Sequence, residues 1–360
     1  MRNINEPLRT DVRHFEAVGF AEQLLSWYER NKRDLPWRET RDPFIIWLSE
    51  IILQQTRVSQ GLPYYLKFVD AFASIQDFAQ ADLDEVLKLW QGLGYYSRAR
   101  NMHQCAINIV EQWEGKFPDN YIELQKLKGV GKYTAAAIAS ICFDEAIPTV
   151  DGNVFRLLSR LFGITDDIAK ASTFKVFFDL GSQLISKDKP GDFNQAMMEF
   201  GATVCTPKSP DCDHCVFQAQ CFAYQKNMIS ELPVKSRNIK IKHRYFNYHV
   251  FLHKEEVLVR QRSESDIWAG LYEFDLIEVE KSLKSSNFDF AQLQYSSSEI
   301  QHQLTHQKLH IKFHVHQVNS GSDKMQLMNE RKLKSVSISE LKELAVPKPI
   351  ELFLKKEFCL

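Results

Sequence analysis

The chain has 360 residues, too many for one ordinary hydrophobic core, and its 44% apolar and 25% charged content is that of a soluble globular protein, so two domains are expected. A net charge of −1, with 25 Lys and Arg against 29 Asp and Glu in residues 1–230, argues against an indiscriminate nucleic-acid binder, which carries a basic excess. No stretch reads as a signal peptide or a membrane span, and four of the seven cysteines crowd into 205–221, so a cytoplasmic chain with a metal or cluster site is expected rather than a disulfide framework.

Residues 14–31 carry Phe15, Val18, Leu24, Leu25 and Tyr28 at helical spacing, and Leu35-Pro36-Trp37-Arg38 breaks that helix. Asp42-Pro43 reads as the N-cap and first residue of the next helix, FIIWLSEIILQQT, which is apolar nearly all round and should be buried on most sides. Glu50 lies inside it, with Ile46, Trp47 and Leu53 as helical neighbours. A carboxylate so surrounded loses hydration, and its pKa rises until it can hold and donate a proton at pH 7. The alternative is a glutamate on a narrow polar stripe with Gln54 and Arg57. Gly61-Leu62-Pro63 predicts a bend, with helices at 64–72 and 82–91. Gly92-Leu93-Gly94-Tyr95-Tyr96 reads either as an exposed apolar wedge suited to a base stack or as a turn whose Leu and Tyr tuck into the core.

Residues 127–153 read as a helix end, a tight Gly129-Val130-Gly131 turn and a second helix with Ala135, Ala136, Ala137 and Ala139 on its near face. The glycines permit close approach, and the first amides of the second helix point at whatever sits there, commonly a phosphate oxygen. Such a helix-hairpin-helix grips a DNA backbone without reading sequence; a plain helical hairpin with a glycine cap is the alternative. The chain breaks at Pro148, and Asp151 stands at the mouth of a helix marked by Val154, Leu157, Leu158 and Leu161. Asp151 serves there as a cap or as an ionised carboxylate facing a developing positive charge. Further helices are predicted at 172–186 and 192–204.

The thiols of Cys205, Cys212, Cys215 and Cys221, spaced x6, x2 and x5, suit a cluster better than a zinc ribbon, which wants two Cys-x2-Cys knuckles. Cys105, Cys142 and Cys359 are isolated. Residues 226–243, with Lys235, Arg237, Lys240 and Lys242, look like a linker. The period then switches to strand. Val250-Phe251-Leu252 and Val257-Leu258-Val259 form a hairpin pattern, 268–279 adds a strand, and 309–316 alternates cleanly. His310, His314 and His316 share its polar face, read as solvated. Short helices at 338–345 and 349–358 close an α+β domain.

Taken in order and at these separations, several motifs resemble the adenine DNA glycosylases of the MutY family. They are Leu35-Pro36-Trp37-Arg38, Trp47-Leu48-Ser49-Glu50 with Gln54-Gln55-Thr56, Gly92-Leu93-Gly94-Tyr95-Tyr96, Gly129-Val130-Gly131, Asp151-Gly152-Asn153-Val154 and the cysteine spacing. The resemblance implies a mainly α helix-hairpin-helix glycosylase domain over 1–225, with the hairpin near 121–143 and an iron–sulfur loop at 205–221. A linker at 226–243 and an α+β Nudix (MutT)-like domain over 244–360 would follow. It further implies a 4Fe–4S cluster on Cys205, Cys212, Cys215 and Cys221, a monovalent cation at the hairpin, and a nucleoid-associated, bacterial-type monomer. The partner would be duplex DNA holding an adenine:8-oxoguanine or adenine:guanine mispair.

Residue by residue, the resemblance makes Glu50 the acid that protonates adenine N7, and Asp151 the ion that meets the cationic sugar, with Tyr133 and Asn153 holding Asp151. Trp37, Arg38 and Gln195 would lie near the adenine. Gln55, Thr56, Leu93 and Tyr95 would bind the DNA around the vacated base, and Gly129 and Gly131 would meet the backbone. The family reads 8-oxoguanine through Phe-Ser-His; the matching place here is Leu304-Thr305-His306, where Thr305 keeps the hydroxyl and His306 is retained. Two departures matter. After Trp268-x-Gly270-Leu271-Tyr272-Glu273-Phe274 no Arg-Glu-x-x-Glu-Glu helix follows to hold metal, so the second domain is expected to sense rather than hydrolyse. Endonuclease III-like relatives carry a Schiff-base lysine where this chain has Tyr133, and Lys132 is one residue off, about 100° round the helix. Base release without strand cleavage is the expectation.

Overall fold

The computed structural model describes residues 17–236, 241–263, 266–280, 288 and 290–358; Phe15, Arg237, Lys240 and Cys359 lie outside the described residues. Backbone contacts divide the described residues into two compact units, one of 17–58, 68–79 and 104–236 and one of 59–67, 80–103 and 241 onward. Two short stretches of the N-terminal half therefore group with the C-terminal part, although the sequence changes texture at 226–243.

Up to Gln225 the regular structure is helical. The helices are α1 (Ala17–Asn31), α2 (Pro43–Leu53), α3 (Val58–Ala71), α4 (Ile75–Gln80), α5 (Leu83–Leu89) and α6 (Ser97–Gln112). They continue as α7 (Tyr121–Leu124), α8 (Lys132–Phe143), α9 (Gly152–Phe162), α10 (Thr173–Leu184), α11 (Pro190–Thr203) and α12 (Phe222–Gln225). No helix among the described residues is long and apolar enough to cross a membrane. Asp42 caps α2 as predicted, its carboxylate accepting the Phe44 amide at 2.9 Å with Pro43 at the first position. α3 differs from the sequence reading, running straight through Pro63 where a bend was predicted. Pro63 is the sixth residue of α3, so the amide it lacks removes the helical bond that the Ser59 carbonyl would otherwise accept.

Two apolar clusters hold the first unit. In one, Trp47 of α2 meets Phe78 and Phe117 edge-on at centroid distances of 6.2 and 5.6 Å. In the other, Phe20, Leu24 and Trp27 of α1 pack with Leu157, Leu158 and Leu161 of α9, Phe177 of α10, and Phe193 and Phe200 of α11. The alanines of α8 are fully buried, and their small size lets α2 and α11 close on either side. Gly191 of α11 sits where an added Cβ would come within 2.8 Å of the Ser140 carbonyl oxygen.

The second unit carries a sheet of β1 (Lys242–His253), β2 (Glu256–Gln261), β3 (Tyr272–Glu273), β4 (Asp275–Val279), β5 (Ala291–Ser296), β6 (Ile300–Gln303), β7 (Gln307–Val318) and β8 (Lys334–Ser337). β1 and β7 run parallel at its centre, from Lys242 opposite Gln307 to Leu252 opposite Gln317. The predicted hairpin joins β1 to β2, with Leu252 opposite Val257. Helices α13 (Gly321–Arg331), α14 (Ile338–Leu341) and α15 (Lys348–Phe358) complete the unit. On one face Phe353 of α15 stacks on Phe313 with centroids 4.1 Å apart; on the other, Leu327 of α13 joins Phe251, Leu258 and Val318.

That second layer overturns one expectation. The alternation in β7 holds, with Leu309, Ile311, Phe313 and Val315 buried, yet His314 and His316 are only 4% and 1% exposed instead of solvated. α13 and Phe288 cover their face, which the polarity of the α13 sequence conceals. His249 Nδ1 lies 3.0 Å from His316 Nε2, while His249 Nε2 and His316 Nδ1 are buried without a partner among the described residues. Burial, reinforced by the neighbouring imidazoles, pushes His249 down to about 3 and His316 to about 4. Because the unfolded chain takes these protons near pH 6.5 and the folded unit does not, stability is retained above that pH and falls as pH drops toward the folded values. The loss should be roughly 1.4 kcal/mol per pH unit for each titrating histidine. Hydrogen exchange of β1 and β7, corrected for intrinsic rate, should lose protection steeply between pH 6.5 and 5 while α9 and α11 hold theirs; equal change in both units would contradict this.

Candidate active site

Glu50 occupies the one side of α2 that opens away from the aromatic cluster. It remains partly accessible while Ile46, Trp47, Ser49 and Ile51 around it are buried. Burial raises its pKa to about 7, against the pull of the Tyr133 hydroxyl and with a further push from the charge of Asp151. The Tyr133 hydroxyl has its own acceptor in Met198 Sδ, 3.0 Å away on α11. The hydroxyl has one hydrogen for two acceptors: it turns to Glu50 when that carboxyl is ionised and can turn to sulfur when it is not.

Asp151 is the N-cap of α9. Its Oδ1 accepts the amides of Asn153 and Val154 at 2.9 and 2.8 Å, and its Oδ2 accepts Asn153 Nδ2 at 2.8 Å. Cap and functional carboxylate are therefore compatible readings of one residue. Burial lifts Asp151 above the ordinary aspartate range too, opposed by those donors and by Arg156. What separates the two acids is their company: one hydroxyl for Glu50, three N–H donors and a helix mouth for Asp151. Asn153 is fixed in turn, its Oδ1 accepting Arg156 Nη2 at 2.9 Å, while Arg156 Nε donates to the Cys205 carbonyl at 2.7 Å. Gly201 lets α11 close on this point, since a Cβ there would stand 2.7 Å from the Asn153 Cβ.

Both acids line one cleft of about 630 Å³, together with Gln55, Gly129, Gly131 and Tyr133. Gly129 takes φ 80 in the tight turn and Gln55 takes φ 56 just after α2, a left-handed backbone that turns the chain across the cleft rim. Gln54 joins them, donating to Thr134 Oγ1 at 3.1 Å. Lys132 also reaches the cleft, its ammonium 4.9 Å from the Phe174 ring centroid.

Other predicted residues lie outside the cleft lining. Thr56 donates to the Gln54 carbonyl at 3.3 Å. Trp37 is buried in a 3-10 turn at Pro36–Arg38. Arg38 is committed to Glu199, 2.7 Å from Nη2, and to the Arg33 carbonyl, and it lies over the Tyr28 ring. The Tyr28 hydroxyl donates to Gln195 Oε1 at 3.3 Å, so Arg38 and Gln195 meet through Tyr28 instead of facing the two acids directly. Glu199, 1% exposed, takes Arg33 as well, and the two guanidiniums hold its carboxyl down at about 2 despite burial. No local pattern marks Glu199, which stands 161 positions from Arg38. Arg156 did carry a signal, three residues beyond Asn153 on one helix face.

In the second unit, Leu93 is 6% exposed, so of the two readings of this turn the tucked one holds for Leu93 and not the exposed wedge. The turn closes because Trp90 Nε1 donates to the Gly94 carbonyl at 2.9 Å and Gly94 takes φ 76, folding Leu93 inward. Tyr95, at φ 49, is the exposed residue of the pair at 46%. Its hydroxyl lies 2.6 Å from Thr305 Oγ1, so two residues distant in sequence meet. Thr305 and His306 are both exposed.

Cys205, Cys212, Cys215 and Cys221 line one small cavity against Leu157, Leu161 and Phe200. Arg160 bridges its rim, Nη1 donating to Cys205 Sγ and its carbonyl accepting from Cys221 Sγ, both at 3.4 Å. Among the described residues no three Cys, His, Asp or Glu side chains gather closely enough for a single metal ion.

Residues 48–180 match the model of the HhH-GPD superfamily base excision DNA repair proteins, and residues 247–356 that of the NUDIX domain. The adenine DNA glycosylase of Rattus norvegicus is 45% identical over 230 residues, covering 61% of this chain and 45% of its own length. That of Buchnera aphidicola subsp. Schizaphis graminum is 33% identical over 297 residues, covering 81% of this chain and 86% of its own. The chain spans about half the length of the mammalian and plant relatives it matches. Among solved structures, a thermostable thymine-DNA glycosylase matches with TM-score 0.55 and 30% identity over 60% of this chain and all of that one. Endonuclease III in a non-covalent DNA complex, with TM-score 0.50, 22% identity and coverage of 58% and 94%, shares the fold. An N-terminal helix-hairpin-helix fold, a sheet-based Nudix-like C-terminal part and similarity to a curated relative over most of both chains agree: this chain belongs to the adenine DNA glycosylase family.

Proposed function

We propose that this protein removes adenine mispaired with 8-oxoguanine or guanine in duplex DNA by hydrolysing its glycosidic bond. The observation that carries the reading is a single cleft lined by a carboxyl with pKa about 7 and a second carboxylate held by three N–H donors. Glycosidic bond cleavage through an oxocarbenium-like sugar needs that pair in opposite protonation states. An adenine buried in the stack is out of reach, so it must swing into the cleft. Glu50 then donates its proton to N7, the base leaves with the bond electrons, Asp151 faces the cationic sugar, and a water adds at C1′ to give an abasic site. Asn153 and Arg156 keep Asp151 aimed, and Tyr133 steers the Glu50 proton. Tyr133 fills the position of a Schiff-base lysine, and Lys132, although it lines the cleft, holds its ammonium over the Phe174 ring. Gly129, Gly131 and the α8 amides suit a phosphate of the DNA backbone.

Three further assignments rest on this reading. Arg38 and Gln195 would bound the adenine side as a braced wall, and Trp37 would support it. Tyr95 and Thr305, already in contact, would read 8-oxoguanine together with His306, and Gln55 at the rim of the acid cleft would touch DNA there. The four cysteines would hold a 4Fe–4S cluster: they line one cavity, and their spacing lacks the second Cys-x2-Cys knuckle of a zinc ribbon. When bound, such a cluster supplies covalent cross-links to a loop with little apolar core of its own, and base release does not run through it. The domain limits 1–225 and 244–360 are proposed as the functional partition.

In single-turnover assays on an adenine:8-oxoguanine duplex, Glu50→Gln should lose base release by at least about three orders of magnitude while duplex affinity stays within a few fold; turnover near the parent rate would remove Glu50 as the acid. Thr305→Ala should narrow the preference for 8-oxoguanine over guanine opposite adenine, measured as the ratio of release rates at limiting enzyme. An unchanged ratio would take Thr305 out of lesion reading.

A further inference from the structure

Tyr133 stands second in α8, the helix that packs against both α2 and α11, and its hydroxyl has an acceptor on each. On α2 that acceptor is the Glu50 carboxylate; on α11 it is Met198 Sδ, 3.0 Å away and partly buried. A phenol carries one hydrogen, so the two acceptors compete for it. Burial, with Glu50 and Asp151 beside it, pushes ionisation of Tyr133 well above the ordinary range, so the hydrogen stays on the hydroxyl. The acceptors differ in kind. An ionised carboxylate takes a strong, charge-assisted bond, whereas a thioether is neutral, polarizable and weak, and does not titrate. Sulfur therefore competes only while Glu50 is protonated. An aliphatic side chain at position 198 would leave the hydrogen no acceptor but Glu50, and a hydrogen bond to a carboxylate favours its charged form.

The other titratable or charged groups facing Glu50 act on it through space. Asp151 faces it from the mouth of α9 with Arg156 beside that carboxylate. Lys132 lines the same cleft with its ammonium over Phe174, and Cys142 stands near the far end of α8. Among the described residues, none of these four meets the Tyr133 hydroxyl through a hydrogen bond.

We propose that Met198 is a positioning residue for the acid of the adenine-release reading, on which this role rests: its sulfur holds the Tyr133 hydrogen while Glu50 carries a proton, and yields it to the carboxylate as that proton passes to the base. Tyr133 keeps its own hydrogen throughout and only turns. The proton that moves is the one on Glu50, and it ends on adenine N7. Before the transfer, sulfur keeps the hydroxyl from favouring the ionised acid; after it, the same hydroxyl offsets the new charge.

A cycle of full-length proteins tests this: the parent, Met198→Leu, Tyr133→Phe and the double variant, read by carboxyl-carbon NMR titration of Glu50 without DNA. Met198→Leu, nearly volume-conserving, should lower the Glu50 midpoint by roughly half a pH unit. Tyr133→Phe removes the donor and should raise the midpoint, and Met198→Leu should add no shift on that background. Met198→Ile, which deletes the sulfur in a different shape, should lower the midpoint as Met198→Leu does and guards against a packing effect of either one. An unmoved midpoint in Met198→Leu, or the same shift with and without the hydroxyl, overturns the proposal. In single-turnover adenine release, the alkaline limb of the pH profile should move down together with the NMR midpoint. A midpoint that shifts as expected while the limb stays fixed keeps Met198 as the residue tuning Glu50 and removes Glu50 as the acid, so the two readings fail separately.

Discussion

The cost of charging Glu50 organises the first unit's site. α2 surrounds Glu50 with buried apolar side chains, so what its carboxylate form gains from the cleft and from the Tyr133 hydroxyl does not offset the loss of hydration, and the proton stays on to about pH 7. Asp151 meets the same burial and answers it differently. Its oxygens cap α9, so each lone pair that lost water gained an N–H. Burial raises both acids, but at Asp151 the N–H donors and Arg156 oppose it, and the charge of an ionised Asp151 adds to the cost of ionising Glu50.

Helix α11 is the strut on which this division rests. Met198 accepts a hydrogen bond from the Tyr133 hydroxyl, Gly201 admits Asn153 against the helix backbone, and Glu199 locks Arg33 and Arg38 from the other side. Gln195, one turn earlier, meets Tyr28 beneath the Arg38 guanidinium. A displacement of α11 would therefore reach the acid, the cap and the proposed adenine wall at once. The Arg156 side chain extends the connection to the Cys205 carbonyl, so the cysteine loop and Asp151 share a hydrogen-bonded line through Asn153. That line runs through close, charge-assisted contacts, and it ties the position of Asp151 to the order of residues 205–221.

Much of this was legible in the residues, and the parts that were not have physical reasons. Asp42-Pro43, the apolar wrap of α2, the alanine face of α8 and Asp151 before a helical repeat all express local rules, and local rules are what a sequence displays. Leu93 could have faced either way; the Trp90 to Gly94 bond that turns it inward joins residues whose roles no spacing announces. The histidines of β7 read as solvated because alternation reports which side a residue faces, not whether a second layer covers it, and the polar α13 hides its covering Leu327. The Glu199 pairs with Arg33 and Arg38 link positions far apart in the chain, so only the assembled fold reveals that Arg38 is braced. Strands β5 and β6, short and mostly exposed, carry too few apolar residues for a period-2 signal.

The central claim is the protonation state of Glu50 and its dependence on Asp151. Carboxyl-carbon NMR titration of Glu50 in the intact protein, repeated in Asp151→Asn, tests it without DNA or turnover. The account predicts a midpoint near 7 in the parent and a lower one in the variant, where the repelling charge is gone. A midpoint at the ordinary glutamate value in the parent, or one indifferent to Asp151, would contradict it.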